Sequence, residues 1–199
     1  MKALFFLFSI LFFISCDETR KEINEEIIVK KSIIPAIEKN RKHPLFQLKN
    51  GVLFYDIKPF SGVVKEFYKE GTIKSTAQYY LGKKQGPYFG WYQNKKKWFE
   101  RFYVNGLKVK IHKGWHKNGI QMFVYHFKKT GVYNGSVKDW YANGVLAKSF
   151  NFIEGKEAGS QKMWDLKGKI RANFYTINTE RHGLIGLKKC ISVLHKQTE

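Results

Sequence analysis

Few side chains in this sequence are spaced for chemistry. His112 and His116 stand four residues apart. On a helix that spacing would turn both imidazoles to one face, where a metal ion could take them. On a strand it separates them by ~13 Å, too far for one ion. His126 could lie diagonal to His112 across a hairpin, yet two imidazoles without a third ligand make a weak site. Cys190, with His182 and His195 nearby, has the residue types of a nucleophile or a metal ligand. A thiol becomes reactive only with a lowered pKa and an oriented base, and a buried structural cysteine is the commoner outcome. No paired-carboxylate site, P-loop, GxSxG elbow or HExxH motif occurs. The 16 acidic residues place no carboxylate beside a partner at useful spacing. The sequence argues against an enzyme and implies no cofactor and no metal.

The remaining cysteine suggests a different chemistry. "MKALFFLFSILFFISC" carries one Lys, then an apolar run with Ser, then Cys16 where the run stops. A segment this short reads as a signal-peptide core rather than a membrane span. Its ending resembles a bacterial lipobox, which implies cleavage after Ser15 and a diacylglyceryl thioether on Cys16. Acyl chains contribute about 0.8 kcal/mol per buried methylene, and a second chain makes anchoring durable. The expectation is a signal peptide at 1–15, a lipidated tether at 16–43 and a lipoprotein of the bacterial cell envelope, placed at the outer membrane. With Cys16 lipidated, Cys190 has no intramolecular disulfide partner, so the fold must stand on packing.

A formal charge of +20, from 36 basic and 16 acidic residues, favours anionic partners. An anionic envelope component or an unknown protein would fit; nucleic acid is not expected outside the cytoplasm. Phe, Tyr, Ile, Asn and Lys also share AT-rich codons, so base composition accounts for the charge equally well.

The elements that carry these residues repeat. Phe67, Trp91, Trp115, Trp140 and Trp164 recur at a step of about 24 residues, a period that signals a repeat architecture. Five residues before each aromatic stand Gly62, Gly86, Lys110, Gly135 and Gly159. Four residues after it stand Gly71, Lys95, Gly119, Gly144 and Gly168. Beyond that glycine, alternate positions are mainly apolar, as in Leu146, Lys148, Phe150 and Phe152, which is the period of a strand. Each unit is therefore a β-hairpin. If Trp140 is to share a face with Leu146 and Phe150, it must pair with Leu146. Tyr141 then pairs with Val145, leaving Ala142-Asn143-Gly144 as a loop closed by a left-handed glycine. Lys95 takes that place in the second unit, which predicts an irregular hairpin there.

The recurring phrase is Phe or Trp, then Tyr or His, any residue, Asn or Glu, then Gly. With glycine between hairpins, it resembles the MORN-like repeat of the YwqK-type antitoxin family. "LKNGVLFYDIKPFSG" (48–62) is similar to the way such arrays begin. The resemblance covers residues 44–183 and implies a partner-binding protein, an antitoxin or immunity protein among the alternatives. The expected fold is all-β: about five hairpins in one elongated antiparallel sheet, curled by twist, with 184–199 as a terminal cap. "EEIIVKKSII" (25–34) reads as an added edge strand that Pro35 would end.

Lys65, Lys113, Lys138 and Lys162 all stand two residues before the key aromatic, with Phe89 in the same column. Stacked, they would form a row of ammonium groups beside the aromatics. That row suits an anionic lipid or glycan; equally, lysine keeps strands soluble and guards sheet edges. The aromatics Phe67, Trp91, Trp115, Trp140 and Trp164 would form either a core or an open binding face. The expected protein is a monomeric, membrane-anchored binding or scaffold module.

Overall fold

The computed structural model describes residues 34–186. Cys16, Cys190, His195, most of the 25–34 stretch and most of the C-terminal cap lie outside them. The described residues form an all-β fold without a helix. The chain runs through β1 (Glu38–Asn40), β2 (Phe46–Lys49), β3 (Val52–Tyr55), β4 (Lys58–Pro59) and β5 (Gly62–Phe67). Then come β6 (Ile73–Tyr80), β7 (Lys83–Trp91), β8 (Lys97–Val104), β9 (Leu107–Trp115), β10 (Gln121–Phe127) and β11 (Tyr133–Trp140). β12 (Leu146–Ile153), β13 (Lys156–Glu157), β14 (Gly159–Trp164), β15 (Ile170–Ile177) and β16 (Glu180–Leu184) complete it. From β5 onward the main strands pair in chain order within one 13-stranded sheet, each hairpin beside the next.

Two features differ from a uniform array. The opening hairpin, with its turn at Asn50-Gly51, belongs to a separate three-stranded sheet of β2, β3 and β4. Phe46 and Leu53 from that sheet, with Phe60 just after β4, bury themselves against Val64 of β5, with Tyr55 and Tyr79 alongside, and so cap the first edge. β1, which follows Pro35, lies parallel to β5 on the same edge. At the far edge β16 adds one strand beyond the fifth hairpin.

The hairpin tips have the expected pairing. The Tyr141 amide donates to the Val145 carbonyl at 2.9 Å and the Gly144 amide to the Tyr141 carbonyl at 2.9 Å. Trp140 pairs with Leu146, and Gly144 has a φ of 87°. The second hairpin is not irregular. Lys95 adopts a φ of 62° and keeps the same two bonds, Tyr92 to Lys96 and Lys95 to Tyr92, both at 2.9 Å.

The expectation that Trp140 shares a face with Phe150 is overturned. One residue past each tip the register slips: Trp140 faces Leu146 while Asp139 faces Lys148, leaving Ala147 as a bulge. Lys74, Trp98, Met122 and Arg171 are the bulged residues of the other four hairpins. An extra residue reverses the alternation. Phe99, Phe123, Phe150 and Phe174 therefore lie on the face opposite the Trp row.

A second irregularity separates neighbouring hairpins. Gln78 faces residues 85–87, and His126 faces residues 134–136. Gly86 (φ 88°) and Gly135 (φ 103°) occupy those bulges, and Lys110 adopts a φ of 63° in the same column. A surplus of two residues preserves the faces and bends the strand.

Candidate binding faces

The lysines singled out by the repeat fall on one line across the sheet. The cross-strand pairs run Lys65–Thr76–Phe89–Glu100–Lys113–Val124–Lys138–Ser149–Lys162–Asn173. Paired residues share a face, so Lys65, Lys113, Lys138 and Lys162 stand together. They are not equivalent. Lys65 forms an ion pair with Glu38 at the sheet edge. Lys113 faces Glu100, whose carboxylate also takes Lys97 at 3.0 Å. Lys138 and Lys162 have only Val124, Ser149 and Asn173 beside them on the line. Two strand spacings, ~10 Å, separate Lys113 from Lys138 and Lys138 from Lys162, whereas four, ~19 Å, separate Lys65 from Lys113. One step along the strands, Phe67, Trp91, Trp115, Trp140 and Trp164 pair with Ile73, Lys97, Gln121, Leu146 and Ile170 on the same face. All five aromatics are half-buried. The Lys97 ammonium lies 5.3 Å from the Trp115 ring and 5.8 Å from that of Phe89.

The opposite face is the more buried. Phe99 is 3 % exposed, and its ring lies where a side chain at Gly90 would stand; Phe123 covers Gly114 in the same way. Aromatic rings continue along the sheet: Tyr88 to Phe99 at 4.7 Å, His112 to Phe127 at 4.6 Å, Phe127 to Tyr133 at 4.7 Å and Tyr133 to Phe152 at 5.1 Å. With no second layer among the described residues, long cationic side chains roof these rings. Lys84 lies 4.7 Å over Tyr88, Arg101 4.5 Å over Phe99, Lys108 5.6 Å over Phe127 and Arg181 5.0 Å over Phe174. Their stems cover apolar surface while the charged heads reach solvent. Burial pushes the Tyr79 phenol up to about 12. It also lowers the Lys84 ammonium, and the positive charges of Arg101 and Arg41 lower it further.

The histidines are distributed rather than clustered. His112 is 2 % exposed, and its Nε2 lies 3.1 Å from the Phe102 amide nitrogen and 2.9 Å from the Phe102 carbonyl oxygen. Gln161, fully buried in the matching column, engages the amide and carbonyl of Asn151, each at 2.9 Å. Both side chains replace ladder bonds interrupted by the bulge. His126 points to the other face and contacts the Ser136 carbonyl at 2.7 Å. Nε2 of His116 donates to the Trp140 carbonyl at 2.8 Å. Among the described residues, no three His, Cys, Asp or Glu side chains group as a metal site.

The bond from His116 belongs to a ladder that a reading of the key aromatics alone passes over. Tyr68 donates to the Trp91 carbonyl at 2.9 Å, Tyr92 to Trp115 at 2.8 Å and Tyr141 to Trp164 at 3.0 Å. Asn118 and Asn143 likewise donate to the Ala142 and Leu166 carbonyls of the next tip, at 2.7 and 2.9 Å. The signal was present in the sequence: the column after each key aromatic reads Tyr68, Tyr92, His116, Tyr141, Asp165. Neither the scan against protein-family models nor the search of curated proteins returned a match.

Proposed function

We propose that this chain is a MORN-like repeat lipoprotein, held at the bacterial cell envelope through lipid on Cys16. It serves as a non-catalytic binding or scaffold module, and its Lys–Trp face takes an anionic envelope component. The observation that carries this reading is the line of Lys113, Lys138 and Lys162, ~10 Å apart, with Trp115, Trp140 and Trp164 in the adjoining row. No carboxylate pairs with Lys138 or Lys162 among the described residues. Such a strip supplies charge at a regular pitch, and its indole edges offer contact area at low entropic cost.

Two measurements test the reading. Mass spectrometry of the membrane-extracted chain finds a diacylglyceryl-modified Cys16, and Cys16→Ala releases the protein from the membrane fraction. The soluble Cys16→Ala protein then sediments with phosphatidylglycerol vesicles in a salt-dependent manner, because screening weakens exposed charges. Replacing Lys113, Lys138 and Lys162 together by Gln abolishes that sedimentation. An unmodified Cys16 would remove the envelope assignment, and undiminished binding by the triple variant would remove the Lys–Trp face.

A further inference from the structure

The face opposite the Lys–Trp strip holds a second group of cations. Lys84 is paired in register with Tyr79, Arg101 with Tyr88 and Lys108 with Tyr103, so the three step across adjacent strands over one aromatic floor. The Lys84 ammonium lies 4.7 Å from the Tyr88 centroid and 5.2 Å from that of Tyr103. The Arg101 guanidinium lies 4.5 Å from Phe99 and 5.7 Å from Phe123. Arg41, just past β1, adds its field to that of Arg101 at Lys84.

The carboxylates of this face are already engaged. Glu66 takes Lys74 at 2.8 Å, Asp139 takes Lys148 at 2.6 Å and the Tyr125 hydroxyl, and Glu157 takes Arg181 at 2.8 Å. Among the described residues, none lies within salt-bridge distance of Arg41, Lys84, Arg101 or Lys108. Cations gathered over rings repel one another and lose part of their hydration, a cost that contact with the rings only partly offsets. A bound anion removes the repulsion. Converging cations match a doubly charged oxyanion better than a single carboxylate, and the planar guanidinium fork fits two oxygens of a tetrahedral group.

We propose that Lys84 and Arg101, flanked by Tyr88 and Tyr103, form an oxyanion site for a phosphate group. The site lies on the opposite face from Lys113, Lys138 and Lys162, so it stands or falls independently of that strip.

Calorimetric titration of the detergent-purified full chain tests it, at constant ionic strength with chloride as the reference anion. The probes are inorganic phosphate, glucose 1-phosphate and unphosphorylated glucose. Saturable binding of glucose 1-phosphate is expected, weakened about tenfold or more by Lys84→Met and by Arg101→Met. Methionine retains the apolar stem over the rings, and Arg101→Lys, which retains the charge, serves as a second variant with partial binding. Lys129→Gln, in the exposed turn after β10, leaves the affinity unchanged. Binding of both inorganic phosphate and glucose 1-phosphate, with none of unphosphorylated glucose, is the pattern expected of a site that recognises the phosphate group. Binding of unphosphorylated glucose as tight as that of glucose 1-phosphate would overturn the proposal. In the absence of phosphate, Lys84→Met melts at a higher temperature than the parent because a like charge is gone. No saturable binding of either phosphate, or binding equal in parent and both methionine variants, overturns the proposal.

Discussion

Two lysines stand where the backbone asks for glycine. Lys95 closes a hairpin tip at a φ of 62°, and Lys110 sits at 63° in a column otherwise held by glycines of positive φ. An L-residue in this region pays about 1–2 kcal/mol, whereas glycine enters it without steric cost but loses more entropy on folding. Lys110→Gly and Lys95→Gly are therefore each expected to raise stability by about 0.5–1 kcal/mol in urea titrations, with the sheet unchanged. A loss of stability in either variant would mean that the lysine stem contributes more than the strain removes. For Lys110 the candidate contact is its ammonium 5.5 Å from the Phe102 ring.

At the scale of the element, the inter-hairpin bulge leaves backbone groups that a side chain must satisfy. His112 and Gln161 do so in equivalent columns. Burial, and next the positive charges of Arg101 and Lys108, hold the His112 imidazole below its ordinary value of 6.5, opposed by its backbone bonds. The unfolded chain then takes up a proton near pH 6.5 that the folded chain accepts only at lower pH. Stability is fully present above 6.5 and falls as pH drops through the folded value. The urea midpoint should decline between about pH 7.5 and 5.5, and His112→Gln, copying Gln161, should flatten that decline. An unchanged slope in the variant would place the acid sensitivity at another group. The bulge was only partly legible beforehand. The glycine column marked its position, but Lys110 concealed that the third unit needs the same backbone.

For the molecule as a whole, strand contacts run chiefly between sheet neighbours, and the tip ladder links each hairpin to the next at a constant step. Stability of such an array is approximately a sum over units and their interfaces. Excising residues 116–140, which joins Trp115 to Tyr141, restores the aromatic-Tyr sequence at the junction. The shortened chain is expected to fold, with its longest dimension in small-angle scattering reduced by ~10 Å, two strand spacings. Loss of the sheet on excision would show that the hairpins depend on distant partners. The covering of the aromatic face likewise belongs to this scale, because Lys84, Arg101, Lys108 and Arg181 come from different strands.

The sequence by itself determined the hairpin, its period, its tip pairing and the alignment of the lysine column. These follow from local backbone chemistry: glycine at left-handed positions and alternation of period two. The tertiary structure alone decided which residues share a face. A single bulged residue after each tip, from Lys74 to Arg171, reverses the alternation, and no residue type is reserved for that position. It likewise decided that the opening hairpin folds into a separate sheet. It also decided that, among the described residues, lysine and arginine cover the aromatic face, since those contacts join residues from separate strands and arise only once the hairpins stack.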